Sequence, residues 1–257
     1  MLLVLDIGNA NVKLGAFRGE ELIASWRMAT DTRRTADEYA STLHALLQMR
    51  GLEPSGVQAI AICSVVPPLT TVFEEVCRSY FKTTPLVVGP GVETGVRVHY
   101  EPPGDVGADR IVAAAAAFRL YGGPVVVVEF GTATVFDGVT AEGDYLGGAI
   151  HPGLQVCAEA LFTSTSQLRR VQLTVPESAI GRNTIMAIQS GVVLGHVGLV
   201  EGMVRRFKAE LGRDARVVGT GGLVHLIAPR TDVFTVVNEH LILQGLRMVY
   251  EMSPAAP

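Results

Sequence analysis

Two short segments of the chain share a pattern of residues that could bind phosphate groups. Residues 5–12 read LDIGNANV and residues 128–135 read VEFGTATV, so each runs apolar, acid, apolar, Gly, amide or hydroxyl, Ala, amide or hydroxyl, Val. The glycine permits a tight turn after an apolar strand, and the short polar side chains and exposed amides that follow can bind an anion. The acid in each segment could hold a cation beside it. This match in register predicts a duplicated chain, with two hairpins facing each other over the phosphates of a nucleotide.

A third glycine-rich segment supports the same interpretation. Residues 217–222 read VVGTGG and would let the backbone pass close to a flat ring or a ribose. The chain has no Gly-x-x-x-x-Gly-Lys-Ser/Thr motif, and no Gly-x-Gly-x-x-Gly follows the first predicted strand. The sequence therefore favours the hairpin design over a P-loop or a Rossmann site.

A candidate general base lies in the tetrad Gly107 to Arg110, at the predicted start of a helix. Unpaired amides and the positive end of the helix dipole favour an ionised carboxylate there. Phosphoryl transfer to a hydroxyl needs a group that accepts the hydroxyl proton, and Asp109 is the obvious candidate. Arg110 could neutralise a phosphate or pair with Asp109. The competing interpretation is that Asp109 only caps the helix.

The elements that must position these residues alternate between strand and helix. Apolar runs punctuated by Gly8, Gly15 and Gly19 predict a three-stranded hairpin system that ends near Trp26. Further strands are expected at 59–65, 85–88, 125–128 and 216–218, with hairpins continuing to 149. Helices are expected at 35–51, 68–80, 108–120, 152–165, 183–211 and 239–251. This order predicts a partly parallel sheet and two domains, 1–121 and 122–257, with the final helix able to pack back on the first domain.

Five motifs, in this order along the chain, together resemble type III pantothenate kinases. They are Asp6-Ile7-Gly8-Asn9, Gly107-Ala108-Asp109-Arg110, Phe130-Gly131-Thr132-Ala133-Thr134, Gly147-Gly148-Ala149-Ile150 with Pro152-Gly153, and Gly181-Arg182-Asn183-Thr184. The resemblance covers nearly the whole chain, to about residue 251. It implies an α/β fold of duplicated ribonuclease H-like (actin-like, ASKHA) domains, each a mixed sheet with helices, with a cleft between them. It also implies ATP-dependent phosphorylation of pantothenate, the first step of coenzyme A biosynthesis, in a cytoplasmic homodimer with the substrate site near the subunit contact.

The resemblance also assigns roles to individual positions. Asp109 would be the proton acceptor, and Glu129 occupies the position that binds the monovalent cation, K⁺ or NH₄⁺. The ATP contacts would be Asp6, Ile7, Gly8, Asn9, Ala10, Asn11, Val12, Lys13 and Thr132. The pantothenate contacts would be Tyr100, Gly107, Ala108, Asp109, Arg110 and Thr184. For the Mg²⁺ that accompanies ATP, charge and position make Asp6 the leading ligand candidate.

Two positions depart from the family pattern, and both belong to the predicted binding sites for ATP and for the monovalent cation. The family usually has threonine at position 10 and aspartate at position 129, where this chain has Ala10 and Glu129. The longer side chain moves the carboxylate by about an ångström, and a misplacement of about 1 Å can cost roughly a hundredfold in rate. A second hypothesis is therefore a non-catalytic relative that binds nucleotide and acts in regulation or interaction. A third is another sugar or acetate kinase of the superfamily, although the short chain and the Gly107 to Arg110 tetrad favour pantothenate.

Composition excludes several other classes of protein. The 257 residues carry a net charge of −4 and no Lys/Arg block, so the electrostatic footprint of a nucleic-acid binder is missing. The first five residues lead directly to Asp6 without a basic leader and predict a strand rather than a signal peptide. The apolar stretch 111–118 is too short to span a membrane. We expect a cytoplasmic protein without nucleic-acid or membrane partners.

The cysteines and histidines show no ligand spacing, so the sequence predicts structural roles for them. Cys63, Cys77 and Cys157 are expected to be buried, reduced thiols. The six histidines are likewise expected to be structural: His44, His99, His151, His196, His225 and His240.

Four glycines recur along one face of the long second-domain helix, at positions 191, 195, 198 and 202. Each costs near 1 kcal/mol against alanine in a helix, so a close approach by another backbone is the simplest explanation. This face is expected either at the dimer contact or against the domain's own sheet.

Overall fold

The chain folds into two compact α/β units, as seen in a computed structural model that describes residues 1–253. Unit 1 contains residues 1–96 and 101–116 and the described chain from residue 242, and unit 2 contains residues 97–100 and 117–241. The strands are β1 (Leu2–Ile7), β2 (Asn11–Arg18), β3 (Glu21–Ala29), β4 (Ala59–Ser64), β5 (Leu86–Val87), β6 (Arg97–Val98), β7 (Val125–Phe130), β8 (Ala133–Val139), β9 (Asp144–Pro152), β10 (Arg216–Thr220) and β11 (Val236–Val237). The helices are α1 (Ala36–Gln48), α2 (Pro67–Ser79), α3 (Ala108–Tyr121), α4 (Leu154–Thr163), α5 (Thr184–Leu211), α6 (Val224–Ile227) and α7 (Leu241–Met252). The domain boundary expected after residue 121 remains a prediction.

Unit 1 is built on a five-stranded mixed sheet in the order β3-β2-β1-β4-β5. The β1–β2 and β2–β3 pairs are antiparallel, whereas β4 runs parallel to β1 and β5 parallel to β4. Alternate residues of a strand point to opposite faces, and both faces of β1 are buried. Leu5 joins a core with α1 and α2, while Val4 joins a second core with α3 and α7. The sheet is therefore covered on both sides, and β1 lies at its centre.

Unit 2 is built on a six-stranded mixed sheet in the order β11-β10-β7-β8-β9-β6. The β7–β8 and β8–β9 pairs are antiparallel, and β10 runs parallel to β7. The buried valines of β7 and the apolar face of α5 form one core, in which Val126 and Val128 pack with Val193, Val197 and Val200. The end of β7, like the end of β1, is fixed by neighbours on both sides.

Helix α5 is long and apolar enough to cross a membrane by length and composition alone. Its N-cap is Asn183, whose side chain accepts a hydrogen bond from the backbone of Met186. Eight of its residues are buried, and its valines lie in the core of unit 2. A helix that packs against its own sheet in this way is a core helix.

The element bounds agree with the sequence predictions to within about three residues. The largest differences are at the ends of α1, which stops at Gln48, and of β3 and β9, which continue to Ala29 and Pro152. A capping box begins α1, because the side chains of Thr35 and Glu38 each accept a hydrogen bond from the other residue's backbone amide. The short strands β6 and β11 were not predicted. Two residues carry no periodicity to detect, and β5, which is equally short, was predicted only as part of the run 85–88.

Candidate phosphate-binding and catalytic site

The first hairpin turn, residues 8–10, is held in place by hydrogen bonds from both of its sides. The Gly8 amide donates to the Asn11 carbonyl at 3.0 Å. Thr30, just beyond β3, donates its hydroxyl to the Gly8 carbonyl at 2.6 Å and its amide to the Ala10 carbonyl at 3.1 Å. Asn9 and Ala10 stay exposed at the tip. Sequence reasoning missed Thr30, and its only signal was a polar residue directly after a strand.

Asp6 lies at the base of this turn and is almost completely buried, with 4% of its surface exposed. Its Oδ2 lies 3.0 Å from Nζ of Lys13, its cross-strand neighbour. A buried carboxylate requires such a partner, because desolvation of an uncompensated charge costs several kcal/mol. The ion pair therefore fixes Asp6 and Lys13, two residues of the predicted ATP loop, near the end of β1.

The tetrad 107–110 lies at the start of α3, as predicted, with Gly107 just before the helix, and its carboxylate is not locked in a core. Asp109 is half-buried, and its Oδ1 accepts the backbone amide of Arg110 at 2.8 Å. Gly107 provides the space for this carboxylate, because a Cβ atom there would lie 2.4 Å from Oδ1 of Asp109. The Arg110 residue itself is 8% exposed.

A chain of contacts within unit 1 joins the tetrad to the first hairpin. The position of a Cβ at Gly107 lies 3.4 Å from Cγ1 of Val65, the residue that follows β4. The amide of Val65 in turn donates to the carbonyl of Ile7 at 3.1 Å. Parallel strands β1 and β4 end at the same edge of the sheet, so unit 1 brings the candidate base and the first candidate phosphate loop to one edge.

The second hairpin turn, at Gly131 and Thr132, is braced by two glycines from elsewhere in unit 2. A Cβ at Gly153 would lie 2.4 and 2.5 Å from the carbonyl oxygens of Gly131 and Thr132. A Cβ at Gly221, whose φ is +92°, would lie 2.6 Å from the carbonyl oxygen of Phe130. The 217–222 segment lies beside the hairpin, and the glycine at 221 makes room for the protein's own backbone. The approach of this segment to a ring or a ribose remains a prediction.

The strand pairing of the two hairpins differs by one residue, a difference that the repeat in the sequence did not predict. In the first, Asp6 pairs with Lys13; in the second, Glu129 pairs with Val135, one position earlier in the repeat. The second turn is one residue shorter, since β8 begins at Ala133 whereas β2 begins at Asn11. A one-residue slip exchanges the two faces of a strand. Opposite Glu129 in the ladder lies Val135, where Asp6 has Lys13.

The slip also explains a polar group in the core of unit 2. In burial pattern, Thr134 of β8 matches the apolar Val12 of β2. Thr134 is 0% exposed, and within residues 1–253 its hydroxyl has no hydrogen-bond partner. An unsatisfied buried hydroxyl costs on the order of 1–3 kcal/mol.

We expect Thr134→Val to raise the free energy of unfolding by about 1 kcal/mol, because valine has the same shape without the unpaired hydroxyl. For a chain of this size this is about 2–4 °C in Tm, measured by calorimetry. The matched control is Thr235→Val, which removes the acceptor of the Val217 amide at 3.0 Å and should lower Tm. A lower Tm for Thr134→Val would show that its hydroxyl is satisfied after all.

The remaining predicted residues all lie in unit 2. Glu129 is the last residue but one of β7 and is half-buried, and its Oε1 lies 4.0 Å from the Cβ position of Gly131. The Tyr100 ring packs against Gly147 and lies 6.5 Å, between ring centroids, from Tyr145. Thr184 is exposed at the first turn of α5 and lines a pocket of about 500 Å³. Tyr100 is not among the residues that line this pocket.

Comparison with known proteins agrees with the motifs. The family model described as type III pantothenate kinase matches residues 2–206. The type III pantothenate kinase of Roseiflexus sp. (strain RS-1) is 51% identical over 253 residues, covering 98% of this chain and 99% of the relative.

Two solved structures share the fold over 98% or more of both chains. A Baf family protein from Campylobacter jejuni has a TM-score of 0.62 at 20% identity, with 98% of each chain covered. A candidate 2-dehydro-3-deoxygalactonokinase from Sinorhizobium meliloti has a TM-score of 0.55 at 14% identity, covering 100% of this chain and 98% of that one. The predicted actin-like α/β fold, with a mixed sheet in each half, is confirmed. The sequence match over nearly the whole chain goes further than the fold, and the chain belongs to the type III pantothenate kinase family.

Proposed function

We propose that the chain transfers the γ-phosphate of ATP to the hydroxyl of pantothenate, giving 4′-phosphopantothenate and ADP, the first step of coenzyme A biosynthesis. The observation that carries this proposal is the complete Gly107 to Arg110 tetrad at the start of α3, in a chain 51% identical to a type III pantothenate kinase. The tetrad supplies a half-buried carboxylate in the first turn of a helix, where the dipole favours its ionised form.

In the transfer, the carboxylate of Asp109 accepts the proton of the attacking hydroxyl. The hydroxyl oxygen forms its bond to the γ-phosphorus as the bond from phosphorus to the β,γ-bridging oxygen breaks, and ADP leaves with that oxygen. Such transition states are loose, so positioning and charge stabilisation contribute more than covalent help from the protein. Pantothenate would be held by Tyr100, Gly107, Ala108, Arg110 and Thr184.

The ATP phosphates would be bound by the turn at residues 8–10 and by Thr132. Its Mg²⁺ fits the oxygen donor of Asp6, because Mg²⁺ prefers carboxylate and phosphate oxygens. When bound, Mg²⁺ neutralises negative charge on the phosphates. Lys13 lies within 3.0 Å of Asp6 and carries a compact positive charge that suits a phosphate oxygen equally well.

A monovalent cation, K⁺ or NH₄⁺, would be bound by Glu129. The carboxylate lies at the end of β7, beside the turn that carries Thr132. The cation would thus lie close to the second phosphate contact, where its charge could support ATP binding.

A coupled ADP-release assay with pantothenate and millimolar ATP-Mg²⁺, with and without K⁺, tests the proposed reaction. We expect turnover that increases with K⁺. We expect Glu129→Asp, which moves the carboxylate back by about 1 Å, to lower the K⁺ concentration for half-maximal rate and to raise kcat. Glu142→Asp, at an exposed hairpin tip, is the matched control and should change neither.

The same assay distinguishes the kinase hypothesis from the alternative that the chain is a nucleotide-binding regulatory protein. The residues Ala10 and Glu129 favour this alternative. No turnover by the wild type or by Glu129→Asp, with ATP still bound in calorimetry, would support the regulatory protein and contradict the kinase. Structural likeness at 14–20% identity favours neither, since it concerns the fold alone.

A homodimer is also part of the proposal, and it explains the glycines of α5. A Cβ added at Gly191, Gly195 or Gly198 meets nothing within 4 Å, so the chain's own packing does not require glycine there. This overturns the alternative that these three glycines make room for their own sheet. The backbone of a second copy, packed close to this face, would explain why glycine occupies these positions. A cytoplasmic location is also part of the proposal. Sedimentation at the monomer mass would contradict the dimer.

A further inference from the structure

Three metal-ligating side chains that the proposed reaction does not use meet in unit 2. His151 lies near the end of β9, Cys157 on α4 and His196 on α5. One ligand atom from each lies within 4.8 Å of the other two. All three line the pocket of about 500 Å³ that Thr184 also borders.

This cluster corrects two predictions from the sequence. Cys63 and Cys77 are buried as expected, but Cys157 is only half-buried. His151 and His196 were expected to be unrelated structural residues, yet their rings pack edge to face with centroids 5.3 Å apart. The fold brings them together across 44 intervening residues, so no short ligand spacing could reveal them.

The three side chains converge on one backbone atom, the carbonyl oxygen of Pro152. Nδ1 of His151 lies 2.7 Å from it, Nε2 of His196 lies 3.2 Å from it, and Sγ of Cys157 lies 3.6 Å from it. A carbonyl oxygen has two lone pairs, so it cannot accept well from all three. At least one of the three groups is left with a poor partner.

His196 has a second conflict. Its Nδ1 lies 3.0 Å from the carbonyl oxygen of Val192, and its Nε2 faces the carbonyl oxygen of Pro152. A neutral imidazole carries a single N–H. Burial lowers the pKa of His196 and favours this neutral form, although the contacts with the Val192 and Pro152 carbonyls act in the opposite direction. In the neutral ring, one nitrogen lone pair therefore points at a carbonyl lone pair. A positive centre beside that nitrogen removes the repulsion.

We propose that His151, Cys157 and His196 form a site for a thiophilic divalent cation, with Zn²⁺ as the best match. Two imidazoles and one thiolate are ligands that Zn²⁺ favours, and three protein ligands leave one position open. Because the three side chains line the pocket, water or another small ligand could occupy that position. The site is separate from the predicted Mg²⁺ and K⁺ ligands, which are carboxylates.

The surroundings of His196 suit this role. In the tautomer with its hydrogen on Nδ1, His196 donates to the Val192 carbonyl and keeps the Nε2 lone pair for the metal, as metal-binding histidines usually require. Burial raises the pKa of the Cys157 thiol, so the thiol is protonated before binding. On binding it forms its bond to the metal as a thiolate and releases its proton to solvent. Tetrahedral ligand atoms lie about 3.4 Å apart, so the side chains need to close by about an ångström.

The test uses the full-length protein after removal of metals with a chelator. Co²⁺ serves as the probe, since a thiolate bound to Co²⁺ gives a charge-transfer band in the near ultraviolet. We expect one equivalent of Co²⁺ to produce this band and one equivalent of Zn²⁺ to abolish it. Cys157→Ser should remove the band, and Cys157→Ser and His151→Gln should each weaken Zn²⁺ binding at least about ten-fold in calorimetry.

The matched control is His225→Gln, an exposed histidine on α6 that should bind both metals like the wild type. His151 and Cys157 are only half-buried, so their variants should fold even if a change at the buried His196 does not. Circular dichroism and Tm check this. The proposal is overturned if the wild type gives no thiolate band, or if the band survives in Cys157→Ser. Kinase activity is not the readout, so the result does not depend on the proposed reaction.

Discussion

Asp109→Asn is expected to lower kcat for pantothenate phosphorylation by about 10²–10⁴-fold, the usual contribution of a positioned general base. The amide cannot accept the proton of the attacking hydroxyl. Its oxygen can still accept the Arg110 amide, which lies 2.8 Å from Oδ1 in the wild type. The first turn of α3 should therefore keep its shape, and the loss should fall on kcat more than on KM.

Two controls separate the loss of a base from damage to the fold. Asp105→Asn changes an exposed acid four residues earlier and should leave the rate unchanged. Calorimetry with a non-hydrolysable ATP analogue should give the same affinity for Asp109→Asn as for the wild type. If Asp109→Asn kept more than about a tenth of kcat, Asp109 would serve as a helix cap and another group would accept the proton.

The hairpin motifs were readable from the sequence because each depends on local rules. An apolar strand followed by glycine and short polar residues predicts a turn wherever it occurs, and both turns are present. The register of the second hairpin was not readable in this way. This register depends on loop length and on which residues of β8 face the core. In the observed register, Thr134 is one of the residues that face the core.

The contacts that support the site from a distance in sequence were not predicted. Thr30, just after β3, bonds the first turn, and Gly153, at the start of α4, packs against the second. Thr30 belongs to no local pattern. Gly153 stands in one of the five motifs, but its contact with the second turn is required only by the backbone it touches. His196 joins His151 and Cys157 for the same reason. Tertiary contacts of this kind become visible only in the folded chain.

Gly107→Ala is expected to lower kcat by roughly a hundredfold while leaving Tm nearly unchanged. The new Cβ would lie 2.4 Å from Oδ1 of Asp109, well inside contact distance, so the carboxylate must move by about an ångström. The closest atom is the tip of a side chain and not backbone, and the next contact, with Val65, is an ordinary one at 3.4 Å. The fold should therefore tolerate the substitution, whereas the carboxylate of Asp109 should be displaced.

Gly104→Ala is the matched control, because a Cβ there meets nothing within 4 Å. It should leave kcat and Tm as in the wild type. If Gly104→Ala lowered kcat as much as Gly107→Ala, the effect would come from stiffening the loop and not from displacing Asp109.

A double-mutant cycle decides whether Gly107 acts through Asp109. If the alanine harms the reaction only by moving the carboxylate, it has nothing left to disturb once position 109 is asparagine and no longer accepts a proton. Gly107→Ala with Asp109→Asn should then be no slower than Asp109→Asn alone, a strongly non-additive result. Additive losses would mean that position 107 contributes on its own, for example by contacting pantothenate through its backbone. The cycle thus distinguishes a glycine that positions the base from one that binds the substrate.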